Sequence, residues 1–168
     1  NLPEMDTSLF FDYDISTYKE DKFYIDKITF SNDARIALIK TETKKIWRHS
    51  TTGTYYILNL ESKKIEPLTK INTKLRNVKF SPNSKYISYV RQNNNLYIFD
   101  IEKKKEKRLT SSGGQDVLNG HFGWLYEEEL TGYDGYRWSP DSKTIAFWEE
   151  NQSKVDEYIL VDHLKKYP

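Results

Sequence analysis

A ten-residue pattern that occurs three times constrains this chain more than any other feature. Each copy reads aromatic, Ser, Pro or Asn, Asn or Asp, Ser or Ala, Lys or Arg, and then a largely apolar run. The copies occupy residues 30–39, 80–89 and 138–147. Recurrence at such spacing is typical of repeat architectures, in which each copy belongs to one supersecondary unit.

The repeated pattern predicts a strand, a tight turn and a second strand. In the Ser-Pro-Asn/Asp-Ser turn, Pro presets φ and the Asn or Asp side chain accepts local hydrogen bonds. Apolar residues then alternate, as with Ile36 and Leu38 in the first copy and Ile87 and Tyr89 in the second. Such alternation favours a strand, so the aromatic residue is expected to end one strand just before the turn.

A second recurring piece completes the unit. Residues 56–61 match residues 97–102, and the polar stretches that follow, residues 62–64 and 103–105, are expected to be hairpin tips. One unit therefore reads as four strands over roughly 40–50 residues, the size of a propeller blade. About three blades fit in the chain, whereas a propeller has about 4–8. The prediction is an all-β fold, a partial β-propeller whose remaining blades lie outside residues 1–168.

Composition excludes several functional classes. The net charge is +1, with lysines and acids interspersed, so the charge pattern does not indicate nucleic-acid binding. There is no Cys for a disulfide or a thiolate, and no apolar run is long enough to span a membrane. His49, His121 and His163 have no metal-ligand spacing. We therefore predict no metal and no cofactor.

Two insertions interrupt the repeat. Compared with the second copy, the first copy carries extra residues that include residues 47–50 (Trp-Arg-His-Ser). A longer insertion before the third copy contains residues 124–130 (Trp-Leu-Tyr-Glu-Glu-Glu-Leu). Because insertions in repeat proteins collect on one face and often carry function, these segments are the candidate functional regions.

The glutamate run is expected to form a short helical turn, because consecutive glutamates disfavour a strand. Trp124 and Leu125 would anchor this turn. Glu128 and Glu129 would differ by ~100° around it, so both carboxylates can converge on one small cation such as a protonated amine. Arg48 would relieve the repulsion between them, and its guanidinium could also donate to a peptide carbonyl.

Other interpretations remain open at this point. A run of glutamates is commonly a solvated surface, and an arginine is commonly a structural ion-pair partner. A glycosidase-type acid pair is disfavoured, because those carboxylates sit about 5–9 Å apart and come from separate elements. Serines such as Ser50 and Ser111 lack the Gly-x-Ser-x-Gly setting of an α/β-hydrolase nucleophile.

These segments resemble the dipeptidyl peptidase IV family of serine peptidases. Residues 124–129 resemble the family's double-glutamate motif, and residues 47–50 resemble its arginine segment. Residues 119–120 and 138–141 fit the frame around the motif, and residues 167–168 resemble the start of the family's next segment. Gly123 departs from the Asp that the family often has before the Trp, and residues 149–151 are more acidic than usual.

The resemblance implies an eight-bladed propeller that caps an α/β-hydrolase domain, which lies outside this chain together with the catalytic triad. It implies that Glu128 and Glu129 bind the free α-ammonium of a peptide, and that Arg48 binds a substrate carbonyl. The parent enzyme would then remove dipeptides after Pro or Ala. It would be exported or membrane-anchored, and a homodimer is left open. The alternative is a non-catalytic β-propeller that serves as a protein-interaction module.

Overall fold

The structure is a computed structural model, and it describes residues 24–69 and 74–156. In these segments the fold is all-β apart from one short helix, α1 (Trp124–Leu130). The strands are antiparallel throughout. The predicted all-β class is therefore correct, and the helix falls where the glutamate run predicted it.

Two four-stranded sheets correspond to the first two copies of the repeat. Each is a meander in which neighbours along the chain are neighbours in the sheet. The first sheet is β1 (Ile25–Phe30), β2 (Ile36–Lys45), β3 (Thr51–Asn59) and β4 (Ile65–Pro67). The second is β5 (Arg76–Phe80), β6 (Tyr86–Val90), β7 (Leu96–Asp100) and β8 (Lys105–Arg108).

The repeated turns have the same construction in all three copies. In the first, the Ser31 hydroxyl accepts from the N–H of Ile36 at 3.1 Å and donates to Asp33 Oδ1 at 2.7 Å. Ser81 and Ser139 make the equivalent pairs of bonds. The fourth turn residue is left-handed each time, with φ of 52° to 61° at Ala34, Ser84 and Ser142. The Ser and Asn/Asp positions of the pattern thus build the turn, as predicted.

Successive turns also touch one another. The Asn32 side-chain amide donates to the carbonyl of Pro82 at 2.8 Å. The N–H of Asn83 in turn donates to the Ser142 hydroxyl at 3.0 Å. Each turn therefore contacts the next copy of itself, which stacks the units in register.

The main core lies between the two sheets. Leu38 of β2 packs with Ile87 and Tyr89 of β6 in a cluster that Leu68 and Leu75 complete. The opposite face of β6 carries Val90, which packs with Leu96 and Tyr136 toward the third copy. The strand β6 is thus buried on both faces because each face meets another unit.

The third copy is interrupted within a strand. β11 (Ile145–Phe147) pairs with β10 (Tyr136–Trp138), and β12 (Glu149–Asn151) pairs with β9 (Val117–Asn119). β9 and β10 thus act as two halves of one strand, and α1 lies in the excursion between them. The excursion begins and ends at Gly120 and Gly135, where the N–H of Gly135 donates to the carbonyl of Gly120 at 3.2 Å.

Backbone hydrogen bonds to Trp148 join Gly120 and Gly135 to the neighbouring strand, as in a continuous β-ladder. The N–H of Gly120 donates to the carbonyl of Trp148 at 2.9 Å, and the N–H of Trp148 donates to the carbonyl of Gly135 at 2.8 Å. A Cβ at Gly135 would lie 2.8 Å from the backbone nitrogen of His121. Only glycine allows the two chain segments to come this close.

Candidate functional site

The first insertion lengthens the hairpin of β2 and β3. β2 has 10 residues, whereas the equivalent β6 has 5. At ~3.3 Å per residue, the extra length projects the tip roughly 15 Å farther than in the second sheet. The tip, residues 46–50, is closed by the N–H of Ile46, which donates to the carbonyl of Ser50 at 2.9 Å. Arg48 lies at its centre.

The hairpin tip meets α1, so the two insertions come together. Glu127 is fully buried, and its Oε1 accepts from the N–H of His49 at 2.6 Å and from the N–H of Ser50 at 2.7 Å. A hydrogen bond to a charged group contributes about 1.5–3 kcal/mol, more than a neutral one. The first glutamate of the run is therefore the group that binds the tip.

Opposing effects act on the Glu127 carboxyl. Burial favours its neutral form, but the N–H groups of Ser50 and His49 that donate to it favour the charged form, so the pKa lies below its ordinary value. The carboxyl is thus a charged group in the interior. Its second oxygen, Oε2, is buried and has no hydrogen-bond partner among the residues that the structure describes.

Arg48 and Glu128 form an ion pair beside this contact. Arg48 Nε donates to Glu128 Oε2 at 2.7 Å, with the arginine side chain 67% exposed and the glutamate side chain 15% exposed. Because the arginine partner is open to water, the pair is expected to stabilise the protein by only about 0–1 kcal/mol. The ion pair therefore mainly balances the charge of Glu128, whereas Glu127 holds α1 and the hairpin tip together.

Glu129 differs from both neighbours. Its side chain is exposed, and within residues 24–69 and 74–156 that side chain has no hydrogen bond or ion pair. The charge of Arg48 balances that of Glu128, so Arg48, Glu128 and Glu129 together carry one net negative charge at neutral pH. Such a site has unused acceptors and the charge that suits one ammonium group.

Aromatic contacts flank the carboxylates. The His49 ring stacks on Tyr133, with ring centroids 5.8 Å apart. On the other side Phe122 packs against Tyr126 and Trp148 at 5.3 Å and 5.6 Å. Through these contacts the segment after α1 packs on the hairpin tip, and the segment before α1 packs on Tyr126 and Trp148.

The predicted anchors of α1 are wrong. Trp124 and Leu125 are 56% and 59% exposed, so neither holds the helix on the sheets. The helix instead lies with Glu127 inward, and the aromatic ring of Tyr126 packs on its neighbours. The apolar-anchor prediction failed because the inward face of α1 meets backbone N–H groups, which need an acceptor.

The start of α1 is held from β12. Gly123 is the N-cap residue and offers no side-chain cap, but its N–H donates to Glu150 Oε2 at 2.8 Å. Gln152 Nε2 donates to the other oxygen of Glu150 at 2.6 Å. A Cβ at Gly123 would lie 1.9 Å from Gln152 Nε2. The glycine and the acidic segment, the two departures noted in the sequence, are therefore in direct contact.

His121 lies at the base of the excursion and is structural. Its Nδ1 accepts from Arg76 Nη1 at 2.7 Å, and its Nε2 contacts Asn94 Oδ1 at 3.0 Å. Burial, reinforced by the charge of Arg76, lowers the pKa of His121 to about 4. The ring is therefore neutral at physiological pH and makes both contacts as a neutral imidazole.

The structure brings Arg48 and Glu128 together, and Glu129 follows Glu128 on α1. Glu127 was not singled out as a site residue from the sequence. The available signal was geometric: three consecutive helical residues span about 200°, so they cannot all face solvent when the helix packs on a sheet. In the described segments no group of three His, Cys, Asp or Glu side chains could hold a metal, and His163 lies outside those segments.

A family model described as the dipeptidyl peptidase IV N-terminal region matches residues 31–168. Dipeptidyl aminopeptidase B of Saccharomyces cerevisiae is 37% identical over 138 residues, which are 81% of this chain and 16% of that protein. Probable dipeptidyl-aminopeptidase B of Talaromyces marneffei is 36% identical over 139 residues, which are 81% of this chain and 15% of that protein.

A solved structure is also similar. The crystal structure of Porphyromonas gingivalis dipeptidyl peptidase 4 superposes with a TM-score of 0.80 at 28% identity, covering 87% of this chain and 21% of that one. The chain thus spans about a sixth to a fifth of the length of these relatives. In the described part of the chain, no helix is both long and apolar enough to cross a bilayer.

Proposed function

Because this chain belongs to the family of the dipeptidyl peptidase IV N-terminal region, we propose that it binds the free amino terminus of peptides for a dipeptidyl peptidase. Glu128 and Glu129 accept hydrogen bonds from the ammonium group. Arg48 donates to a carbonyl of the bound peptide. The observation that carries the proposal is the contact of Arg48 with Glu128 at 2.7 Å beside Glu129, whose side chain has no partner among the described residues.

The chemistry of an ammonium group suits this arrangement. It has three N–H donors, and two carboxylates on one helical turn supply acceptors that an acetylated amine cannot use in the same way. Each charge-assisted bond contributes about 1.5–3 kcal/mol, or roughly 10- to 100-fold in affinity. In the part of the chain that the structure describes, Arg48 uses only Nε for Glu128, which leaves the other N–H groups of its guanidinium available to a peptide carbonyl.

Fixed contacts at both ends of a peptide would act as a ruler. If the ammonium is held at Glu128 and Glu129, the position of the reacting carbonyl depends on the number of residues between them. We propose cleavage after the second residue, with Pro or Ala preferred there. The nucleophile belongs to a serine-type α/β-hydrolase domain outside this chain, so the chain alone is expected to be inactive.

The proposal extends to the parent protein. The two four-stranded units and the split third unit would be consecutive blades of an eight-bladed propeller above the hydrolase domain. The parent would be exported or membrane-anchored, and its partners would be peptides with a free amino terminus. Homodimerisation is compatible with this assignment.

Hydrolysis of Gly-Pro and Ala-Pro chromogenic amides by the parent protein tests the proposal. Glu128→Ala and Glu129→Ala should each lower kcat/KM about 10- to 100-fold, and N-acetylated substrates should not be cleaved. Glu61→Ala, at an exposed hairpin tip, is the matched control and should leave the rate unchanged. Activity that is indifferent to both site glutamates would reject the site.

A second candidate function is a non-catalytic interaction module. The exposed Trp124 and Leu125 on α1 favour it, because large apolar side chains at the surface mark contact sites. A parent protein that binds unblocked peptides without cleaving any of them would support this alternative over the peptidase.

A further inference from the structure

We infer that Glu127 is a positioning residue that builds the proposed ammonium site without touching the peptide. The inference rests on the proposed function. It distinguishes Glu127, which binds only the backbone of the hairpin tip, from Glu128 and Glu129, the two glutamates proposed to bind the peptide. The tip carries Arg48, so Glu127 determines where that arginine lies.

The contacts of Glu127 support this division. Its carboxylate is fully buried, so no peptide can reach it, and one oxygen accepts from two successive backbone N–H groups. These belong to His49 and Ser50, the residues immediately after Arg48. A bond to backbone fixes the path of the chain, whereas a bond to a long side chain fixes only that side chain.

The other contacts of the tip cannot replace this one. The Arg48 side chain is 67% exposed, so its pair with Glu128 is screened by water. The ring of His49 stacks on Tyr133, but both residues are exposed. Without Glu127, the N–H groups of His49 and Ser50 would lose their acceptor, and the tip would move away from α1 as they turned to water.

The position of Glu127 also couples the two insertions. Glu127 and Glu128 are adjacent on α1, so the carboxylate that holds residues 49 and 50 lies next to the one that meets Arg48. A shift of the tip would therefore withdraw Arg48 from Glu128 and leave two unbalanced carboxylates. The ammonium site would lose its arginine donor and its geometry together.

A double-mutant cycle in the parent protein tests the role. Glu127→Ala and Arg48→Met should each raise KM for Ala-Pro amides about tenfold, with kcat changed less than about threefold. The double variant should match either single variant rather than show a roughly hundredfold rise, because Arg48 is already displaced. Additive effects would overturn the inference, since a purely structural loss would leave Arg48 its full contribution.

Conservative variants sharpen the test. Glu127→Gln retains an acceptor for both N–H groups and should keep KM within about threefold of wild type. Glu127→Asp withdraws the carboxylate by one methylene and should behave like Glu127→Ala. If Glu127→Ala prevents folding, Glu127→Asp takes its place in the cycle. A Gln variant as impaired as the Ala variant would contradict the role.

Hydrogen exchange supplies a readout that does not depend on activity. In Glu127→Ala the amides of His49 and Ser50 should exchange at least about tenfold faster, whereas Glu129→Ala should leave them unchanged. Unaltered exchange would overturn the inference even in an active enzyme. A parent without peptidase activity would reject the proposed function, and exchange would then decide alone whether Glu127 holds the tip.

Discussion

The repeated turns and the two insertions are held together in opposite ways. Each turn is built from bonds between residues two to five positions apart, such as those of Ser81 with Asn83 and Tyr86. The insertions meet through bonds between residues 77 to 80 positions apart, in which Glu127 and Glu128 contact the hairpin tip. Local bonds form wherever the motif occurs, whereas the insertion contact exists only when the surrounding units are in register.

The two regions also differ in buried charge. The turn carboxylates of Asp33 and Asp141 are exposed, and hydrogen bonds from the turn serines lead the causes that lower their pKa values. The insertion region buries Glu127, His121 and much of Arg76. Buried titratable groups make a region sensitive to pH and to small displacements. The comparison therefore predicts where perturbations will act most strongly.

The largest expected effect is on how the free energy of unfolding changes with pH. Because the pKa of His121 falls from 6.5 to about 4 on folding, the unfolded chain binds more protons between these values. The neutral, buried imidazole therefore contributes stability that is fully present above pH ~6.5 and is lost as the pH falls toward ~4. The full contribution is about 3 kcal/mol.

Thermal unfolding of the parent protein at a series of pH values checks this. His121→Gln keeps one donor and one acceptor but does not titrate, so its unfolding temperature should fall less between pH 6.5 and 4. If the unfolding temperature fell equally with pH in both proteins, His121 would not be buried in its neutral form.

The next effect concerns the base of the excursion. At Gly135→Ala the new Cβ would meet the backbone of His121 and Gly120, which cannot move aside like a side chain. Overpacking of this kind costs about 1–3 kcal/mol. Because the base positions α1, this variant should also lose peptidase activity.

Gly114→Ala is the matched control, since nothing lies within 4 Å of the added atom. Unfolding temperature and kcat/KM of the two variants provide the comparison. If Gly135→Ala matched Gly114→Ala in both, the two halves of the split strand would not be in contact.

The smallest effect is expected in a repeated turn. Ser81→Ala removes the hydroxyl that accepts from the N–H of Tyr86 and donates to Asn83, and this serine is fully buried. The unpaired N–H should lower the free energy of unfolding by about 1–2 kcal/mol. Activity under conditions where the protein stays folded should be unchanged. A fall in kcat/KM with little loss of stability would break the distinction between turns and insertions.

The sequence was sufficient to predict the parts of the fold that depend on local chemistry. The Ser and Asn/Asp positions predicted the turns, and the Ser81 contacts show why. The glutamate run predicted α1, and the sequence also indicated that residues 47–50 and 124–130 were insertions. The third copy was less regular than predicted, because its strand is divided around the excursion.

The prediction of how α1 is held failed for a physical reason. Sequence patterns assign apolar residues to the inward face, so Trp124 and Leu125 were chosen and Glu127 was overlooked. The inward face of α1 meets two backbone N–H groups, so a carboxylate is the group that fits. Such a pairing between distant segments leaves no periodic signal in one sequence. The same applies to Glu150, whose contact with Gly123 depends on how β12 and β9 pair.

The most direct test of the central claim is a crystal structure of the parent protein with the unblocked dipeptide Ala-Pro bound. In that complex the ammonium nitrogen should lie within about 3.2 Å of carboxylate oxygens of both Glu128 and Glu129. Arg48 should donate to a peptide carbonyl while Glu127 stays on the N–H groups of His49 and Ser50. An ammonium group bound elsewhere, with Glu128 and Glu129 in solvent, would contradict the claim.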